Sequence, residues 1–511
     1  MQFIRTNWLP LLVILIGGAF SLFLALRSFE FVFGYLVIDD SFYYFQIARN
    51  IVHGLGSTFD GVHLTNGYHP LWLLAILPVF HYLSASGVHD FAPIQGVLVL
   101  SAFLYAATGV VLLAIIGRYT KNAWVKVGAL GFWFFNPFVQ YQMLNGLETS
   151  LSVFFIALFF LSCIRVGEKP TTRRFVETGI IGGLMMLARL DNVFYFLGYL
   201  AYLAYRDGVK KSVRPILVSG IAATILVAPW LLFNFVNFGM LFTSSSLAST
   251  MVNHQLIVQD HGPSWFQSGK AVAYFTDNAL RDLEPQTGIP LILLLMSGLC
   301  IGYLAFGRGR ALLDRYRIPV ELFVASGFVL DFIANASIRW TVRPWYFIAV
   351  DLLIAIWLAW FLEKLREEGY MRPLVATVLI LFSLSVFYIN WSREISKSKN
   401  SMPVDIIKGT VWMNENVPKG AVIGAFNAGV QGYFSTHRVV NLDGLVNNSA
   451  FAALKEKKLW QYIHDEKIDY LADYDVYIGY RYNYFLGVDN VFDHLQFVYE
   501  PVSRLRVYKV K

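Results

Sequence analysis

Runs of about twenty apolar residues, separated by short loops rich in Lys and Arg, constrain this chain more than any other feature. A run of that length crosses the ~30 Å hydrocarbon core of a bilayer as a helix. Only helices and closed barrels satisfy every backbone polar group in that setting. Runs at roughly 8–27, 96–117, 124–144, 147–164, 175–190, 193–205, 215–235, 289–306, 319–335, 344–363 and 373–392 predict eleven crossings. The basic loops Arg118 to Lys126, Arg165 to Arg174, Arg206 to Arg214, Arg308 to Arg317 and Lys364 to Arg372 then fall on one side together with Arg5. The positive-inside preference makes that side cytoplasmic and puts the C-terminus outside. The chain is 56% hydrophobic and only 15% charged, against roughly a quarter charged for soluble domains. Its net charge of +7 is accounted for by these loops and does not imply nucleic acid. The first run follows Arg5, as in a signal peptide, but the many later spans favour an uncleaved anchor. Cys163 and Cys300 lie in apolar segments and suggest neither a disulfide framework nor a metal site.

Two places depart from regular spanning. Pro70 to Ser84 is apolar but short, and Pro78 interrupts it. Counting it as a crossing would invert the charge rule for every later loop, so it is expected to insert only partly. Ala188-Arg189-Leu190-Asp191-Asn192 joins two short spans within the outer half of the membrane. Charged backbone breaks are tolerated there only beside protein or a wet cavity. Residues 1–392 are thus expected to form a membrane domain with a first outer loop at 38–70 and a long polar outer loop at 237–288. Residues 393–511 are expected to form an outer α/β domain, because helical and strand patterns alternate. The helix is at Val404 to Asn416, and strands are expected at Ala421 to Phe426, Arg438 to Leu442, Val476 to Tyr480 and Leu505 to Val510. Asn427-Ala428-Gly429 reads as a turn into a helix. Gly424 to Gly429 lacks the glycine spacing of a nucleotide fingerprint.

The chemistry concentrates in residues 39–72. Asp39 and Asp40 follow the first span directly, and carboxylates beside a bilayer are costly unless they act. From there Phe42, Phe45, Ala48, Ile51 and Val52 fall on one helical face, leaving Gln46, Arg49, Asn50 and His53 to the polar side. Such a helix is expected to lie in the interface plane, with the two Asp at its N-terminus. A helix cap would explain one Asp but not both. Gly54-Leu55-Gly56 and Asn66-Gly67-Tyr68-His69-Pro70-Leu71-Trp72 follow.

This pattern resembles the GT-C superfamily of membrane glycosyltransferases that use polyprenyl-phosphate sugars. Asp39, Asp40, Ala48, Arg49, Asn50, Gly54, Gly56, Pro70, Leu71 and Trp72 match its first outer loop in order and spacing. The branch is similar to bacterial arabinofuranosyltransferases and protein-mannosyltransferase-like enzymes, and more distantly to lipid A aminoarabinose transferases. In the last group a Lys meets the lipid phosphate where this chain has His69, a departure that puts the donor sugar in doubt. Glu148 matches a second acidic residue of the superfamily, and reads equally as a helix N-terminal Glu. Arg189 and Asp191 resemble an Arg-Pro-Asp element with Leu190 at the Pro, and read equally as a structural ion pair. Arg339 and Arg343 resemble an outer Arg-Tyr element suited to phosphate, with headgroup anchoring as the alternative.

The resemblance implies a glycosyltransferase that moves a sugar from a polyprenyl-phosphate donor to a hydroxyl on a glycan, lipid or protein acceptor, with inversion, on the outer membrane face. It implies Asp39 as general base with Asp40 supporting it. His69, Tyr68, Glu148, Arg189, Asp191, Arg339 and Arg343 then bind substrate. Some relatives need a divalent cation and others do not, and no complete metal site is legible here. A lipid-linked-glycan flippase or transporter is the rival reading. It would more often carry matching repeats, and none is found. A membrane-anchored binding protein would not need Arg189 and Asp191 inside the membrane.

Overall fold

The computed structural model describes residues 2–84, 90–262, 320–335, 343–367, 402–502 and 505–511. The expected spans at 289–306 and 373–392, the Arg308 to Arg317 loop, Cys300 and Arg339 lie outside the described residues. The membrane part runs α1 (Gln2–Ala25), α2 (Phe29–Tyr35), α3 (Asp39–Val52), α4 (Pro70–Leu83), α5 (Ala92–Ile116), α6 (Ala123–Phe135), α7 (Pro137–Met143), α8 (Thr149–Glu168), α9 (Thr172–Ala188), α10 (Val193–Asp207), α11 (Val209–Phe238), α12 (Ser244–His261), α13 (Val320–Ala334) and α14 (Ile348–Glu367). Among the described residues four helices are long and apolar enough to cross a membrane: α1 from Thr6 onward, α5, α8 and α11. Helices α4, α6 and most of α13 are shorter and apolar.

Three expectations change. The run at 124–144 is broken in two, because Asn136 precedes Pro137 and its side chain accepts a hydrogen bond from the Phe138 amide at 3.1 Å. Its amide also donates to Asp351 at 3.0 Å, tying the break to α14. The expected polar loop from 237 contains α12, capped by the Thr243 hydroxyl on the Ser246 amide. The third concerns α3. It is buried on both sides, so Gln46 and Asn50 of its expected polar side are covered rather than exposed.

The C-terminal part covers that polar side. It runs α15 (Met402–Asn416), β1 (Val422–Ala425), α16 (Gly429–Phe434), β2 (Arg438–Asn441), α17 (Asn448–Glu456), α18 (Leu459–Asp465), β3 (Tyr470–Tyr474), α19 (Asn483–Leu486), β4 (Leu495–Val502) and β5 (Leu505–Val510). The five strands lie in the order β2-β1-β3-β5-β4. β1 pairs parallel with β2 and β3, while β5 pairs antiparallel with β3 and β4. The expected strand at Val476 to Tyr480 is instead a π-helical turn, Val476–Arg481. The strand before it, β3, takes the central place, because Leu471 and Ala472 are buried there while Val476 and Tyr480 are exposed. β4 was not expected; bulges break its alternation.

The two parts share one apolar core. Phe42 and Phe45 of α3, Trp72 and Phe80 of α4, and Ile406, Ile423, Tyr433 and Phe434 of the C-terminal part belong to the same cluster. Rings meet across the junction, with Phe42 5.6 Å from Tyr433 and Phe33 5.5 Å from Phe434. Backbones also approach closely. A Cβ on Gly67 would lie 1.8 Å from the Leu445 carbonyl oxygen, and one on Gly432 would lie 2.3 Å from the Phe59 ring. The C-terminal part is therefore seated on the first loop by shape as well as by apolar area.

Candidate active site

Asp39 and Asp40 open α3, but neither caps it. The N-cap position is Ile38, with no side-chain cap bond. Asp39 instead faces the C-terminal part. Its carboxylate accepts the Val430 amide at 2.8 Å and the Gly429 amide at 3.3 Å. These amides start α16, just past the carboxyl end of β1. Open parallel sheets hold ligands at such ends, where neighbouring connections leave in opposite directions. Here the crevice is filled by a carboxylate of the same chain. Asp473 of β3 holds the turn by accepting the Phe426 and Asn427 amides, both at 2.8 Å. A Cβ on Gly429 would lie 2.2 Å from the Asp39 carbonyl oxygen, so only glycine allows this seat. The stretch from Gly424 to Gly429, which carries no nucleotide fingerprint, is the receptor for Asp39.

The two carboxylates differ in environment. Burial pushes Asp39 up to about 8, against the pull of the Val430 amide, with Asp40 and Asp473 adding to the rise. Burial also raises Asp40, but two cations oppose it: Arg343 from the membrane part and Arg481 from the C-terminal part. Glu148 adds a smaller rise. Asp40 is only half-buried. Beside the pair, the Tyr43 hydroxyl donates to Asp443 at 3.2 Å or to the Phe426 carbonyl at 3.3 Å. Burial pushes Asp443 up to about 7.

Four other expected residues converge on one network. The Tyr44 hydroxyl donates to Glu148 at 3.0 Å and accepts the His69 amide at 3.1 Å. Glu148 is buried and meets Arg189 at 3.3 Å, with His69 Nε2 at 3.8 Å. Arg189 forks onto Asp191 at 2.8 and 3.0 Å and lies 4.0 Å over the Tyr346 ring. The extended backbone at Arg189 and the 3₁₀ turn at Leu190–Asn192 make this fork possible within two residues. Arg189 thus has two carboxylates and a ring as partners, which leaves it little charge for a ligand. Removing one member of such a buried set costs about 3–5 kcal/mol.

Tyr68 is placed differently. Its hydroxyl bonds to Ser57 at 2.7 Å and its ring packs 5.2 Å from Trp230. Arg343 lies near Asp40, with its guanidinium 5.7 Å from the Trp345 ring. It makes no ion pair among the described residues. Between Ile38 and Pro344, the neighbours of the acid pair and of Arg343, a cavity of about 240 Å³ is walled by Tyr35, Leu36, Phe138 and Trp345. No cluster of three or more metal-ligating side chains occurs among the described residues. Arg481, Asp443 and Asp473 were not expected from the sequence, because they come beside the acid pair only when the C-terminal part meets α3. The one signal that could have found them was the burial-poor polar side of α3, which needed a cover.

Comparison with known proteins bears on the same regions. Residues 69–233 match the model of a family described as dolichyl-phosphate-mannose-protein mannosyltransferase. Residues 395–508 match a domain family of unknown function. No curated protein matches the chain. Among solved structures, the chain is similar to ArnT from Cupriavidus metallidurans bound to undecaprenyl phosphate, at 11% identity and a TM-score of 0.59, covering 98% of this chain and 97% of that one. It is also similar to the same protein in its apo state, at 13% identity and a TM-score of 0.59, covering 99% and 98%. At these identities the likeness is one of fold.

Proposed function

We propose that this chain is a membrane glycosyltransferase of the GT-C kind, which moves a sugar from a polyprenyl-phosphate donor to an acceptor hydroxyl at the outer membrane face; the family match over residues 69–233 and the shared fold support the reading. One observation carries the reading. Asp40 is half-buried and feels the charges of Arg343 from the membrane part and Arg481 from the C-terminal part, and Ile38 and Pro344, the chain neighbours of the acid pair and of Arg343, line a cavity of mixed apolar and polar walls. Leu36, Ile38, Phe138 and Trp345 of its lining suit a prenyl chain, and Arg343, whose guanidinium lies 5.7 Å from the Trp345 ring, suits a phosphate. The solved relative bound to undecaprenyl phosphate supports a ligand of that class.

The proposed step is a single displacement. The acceptor oxygen bonds to the anomeric carbon as the bond from that carbon to the phosphate oxygen breaks. The phosphate leaves with the electron pair, held by Arg343. The acceptor proton passes to a carboxylate. Attack opposite the phosphate inverts the anomeric centre. The sequence expectation made Asp39 the base and Asp40 its support. The geometry favours the reverse. Both oxygens of Asp39 are turned to the α16 amides, while Asp40 has open surface and cationic neighbours. Asp39 then positions the C-terminal part over the site. Glu148, held by Tyr44 and Arg189, orients acceptor or sugar hydroxyls together with His69. The donor sugar and the acceptor are left open, as is a role for a divalent cation.

Transfer from a polyprenyl-phosphate sugar by purified variants tests this. Asp40→Asn should lower kcat about 10²–10⁴-fold, the usual contribution of a general base, while donor affinity stays near wild type. Asp39→Asn should instead loosen the C-terminal part, read as faster proteolytic release of residues 402–511. Turnover by Asp40→Asn above about a tenth of wild type would return the base to Asp39.

A further inference from the structure

The C-terminal part carries three described arginines with different surroundings. Arg438 pairs with Asp60 and Glu466, at 2.9 and 2.7 Å. Arg506 pairs with Asp475 and Glu500. Arg481 pairs with no carboxylate among the described residues. It closes the π-helical turn Val476–Arg481, a distortion often found where a side chain is aimed for function. Its Nη2 donates to Asn253 of α12 at 3.1 Å. Its guanidinium lies 5.7 Å from the Tyr477 ring and 6.0 Å from the Tyr482 ring. Its Nε is buried without a hydrogen-bond partner. The side chain is half-buried and oriented from three sides, yet it retains an unused donor and an uncompensated charge.

Arg343, from the other part of the molecule, acts on the same neighbours. Both guanidinium charges are felt at Asp40, and both at Tyr477. Two guanidinium groups facing one place repel each other unless an anion lies between them. Asp40 is a single, half-buried carboxylate. It is too little to balance both cations. Tyr482, next to Arg481, stacks on Phe426 at 4.2 Å, and the Phe426 carbonyl accepts the Tyr43 hydroxyl of α3 at 3.3 Å, so the Arg481 turn adjoins the acid pair; a buried donor left unpaired there marks a place where a ligand supplies the missing partner.

We propose that Arg481 is a substrate-binding residue, which grips the donor's phosphate oxygens opposite Arg343, so that one cation of the phosphate site comes from each part of the molecule. This rests on the polyprenyl-phosphate reading above. It also gives the α12 segment a task, since Asn253 fixes the direction of the Arg481 fork.

Binding of undecaprenyl phosphate to full-length protein in nanodiscs tests the assignment, with Arg343→Ala as reference. Arg481→Gln keeps a polar side chain of similar length within reach of Asn253 and removes the charge. It should weaken binding about tenfold or more, the scale of a lost charge-assisted bond. Arg481→Lys should fall between Gln and wild type, because the charge stays and the fork is lost. Asn253→Ala should shift affinity less than Arg481→Gln does. Wild-type affinity in Arg481→Gln, with Arg343→Ala impaired, would overturn the role of Arg481 and leave the transferase reading standing. No binding of undecaprenyl phosphate by the wild type would overturn both.

Discussion

Gly429 shows how finely the acid pair is fitted. Its backbone amide reaches Asp39, and its missing side chain lets the Asp39 carbonyl come within reach of α16. Gly429→Ala must push the two backbones apart. Overpacking of this kind costs about 1–3 kcal/mol, and the cost should fall on the contact between the parts. A thermal melt should show lowered stability and activity should drop, with the membrane helices still inserted. A melt and an activity equal to wild type would mean the seat is looser than described. Asp39 and Asp40 stand out in the sequence, because two adjacent carboxylates beside a span need a reason. The partners of each do not. Val430 and Gly429 lie about 390 residues away, and no local pattern marks a glycine that meets a distant carbonyl. Arg481 was hidden for a further reason. Val476 to Tyr480 alternates like a strand, and reading it so hides the aim of the residue that follows.

At the scale of elements, the first loop is latched to β2 and α18 by charges. Asp60 accepts the His63 amide at 2.8 Å, and its second oxygen meets His63 Nδ1 at 2.8 Å and Arg438 at 2.9 Å. His63 Nε2 meets Glu466 at 3.0 Å. Both ring nitrogens face carboxylates, so the hydrogen bond to Asp60 raises the His63 pKa above its ordinary 6.5, with burial and Arg438 opposing. Burial would raise Asp60, but His63 and Arg438 outweigh it and bring the carboxyl down to about 2. The His63 contribution is therefore whole below about pH 6.5 and lost as pH rises through its raised value. The Asp60 contribution is present above about pH 4 and lost as pH falls through about 2. The wild-type melt should shift downward between pH 6 and 9, and His63→Gln should flatten that shift. An equal shift in both proteins would clear His63 of the effect. None of this latch was foreseen, since a loop His three residues after an Asp reads as a surface turn. Helix α3 was foreseen from its apolar period, but its surroundings were not. Buried Gln46 and Asn50 satisfy themselves locally, with Asn50 holding the Thr58 and Phe59 carbonyls at 2.9 and 3.0 Å. Helix α12 escaped because a Ser- and Thr-rich start looks like loop, although Thr243 is a cap.

For the molecule as a whole, hydropathy and charge revealed the membrane class and most helix positions, because those follow from the bilayer rather than from packing. The division of the run at 124–144 was missed because the apolar run masks the local cap at Asn136-Pro137, and the Asp351 contact that ties the break to α14 lies far along the chain. The charge rule still makes a prediction across the membrane. Single cysteines at positions 169 and 210 should label from the cytoplasm, and one at position 343 from the opposite side. Labelling of position 169 from outside would invert the arrangement. The Asp39 carboxylate waits for an amide 391 residues later in the chain. At roughly 5–20 residues per second, ribosomal synthesis leaves the acid pair uncovered for about 20–80 s. During that interval the membrane helices can insert, while the site lacks its cover and Arg481. On the proposed function, synthesis of the C-terminal part is the step that supplies the cover, and a product ending before Gly429 should show no transfer.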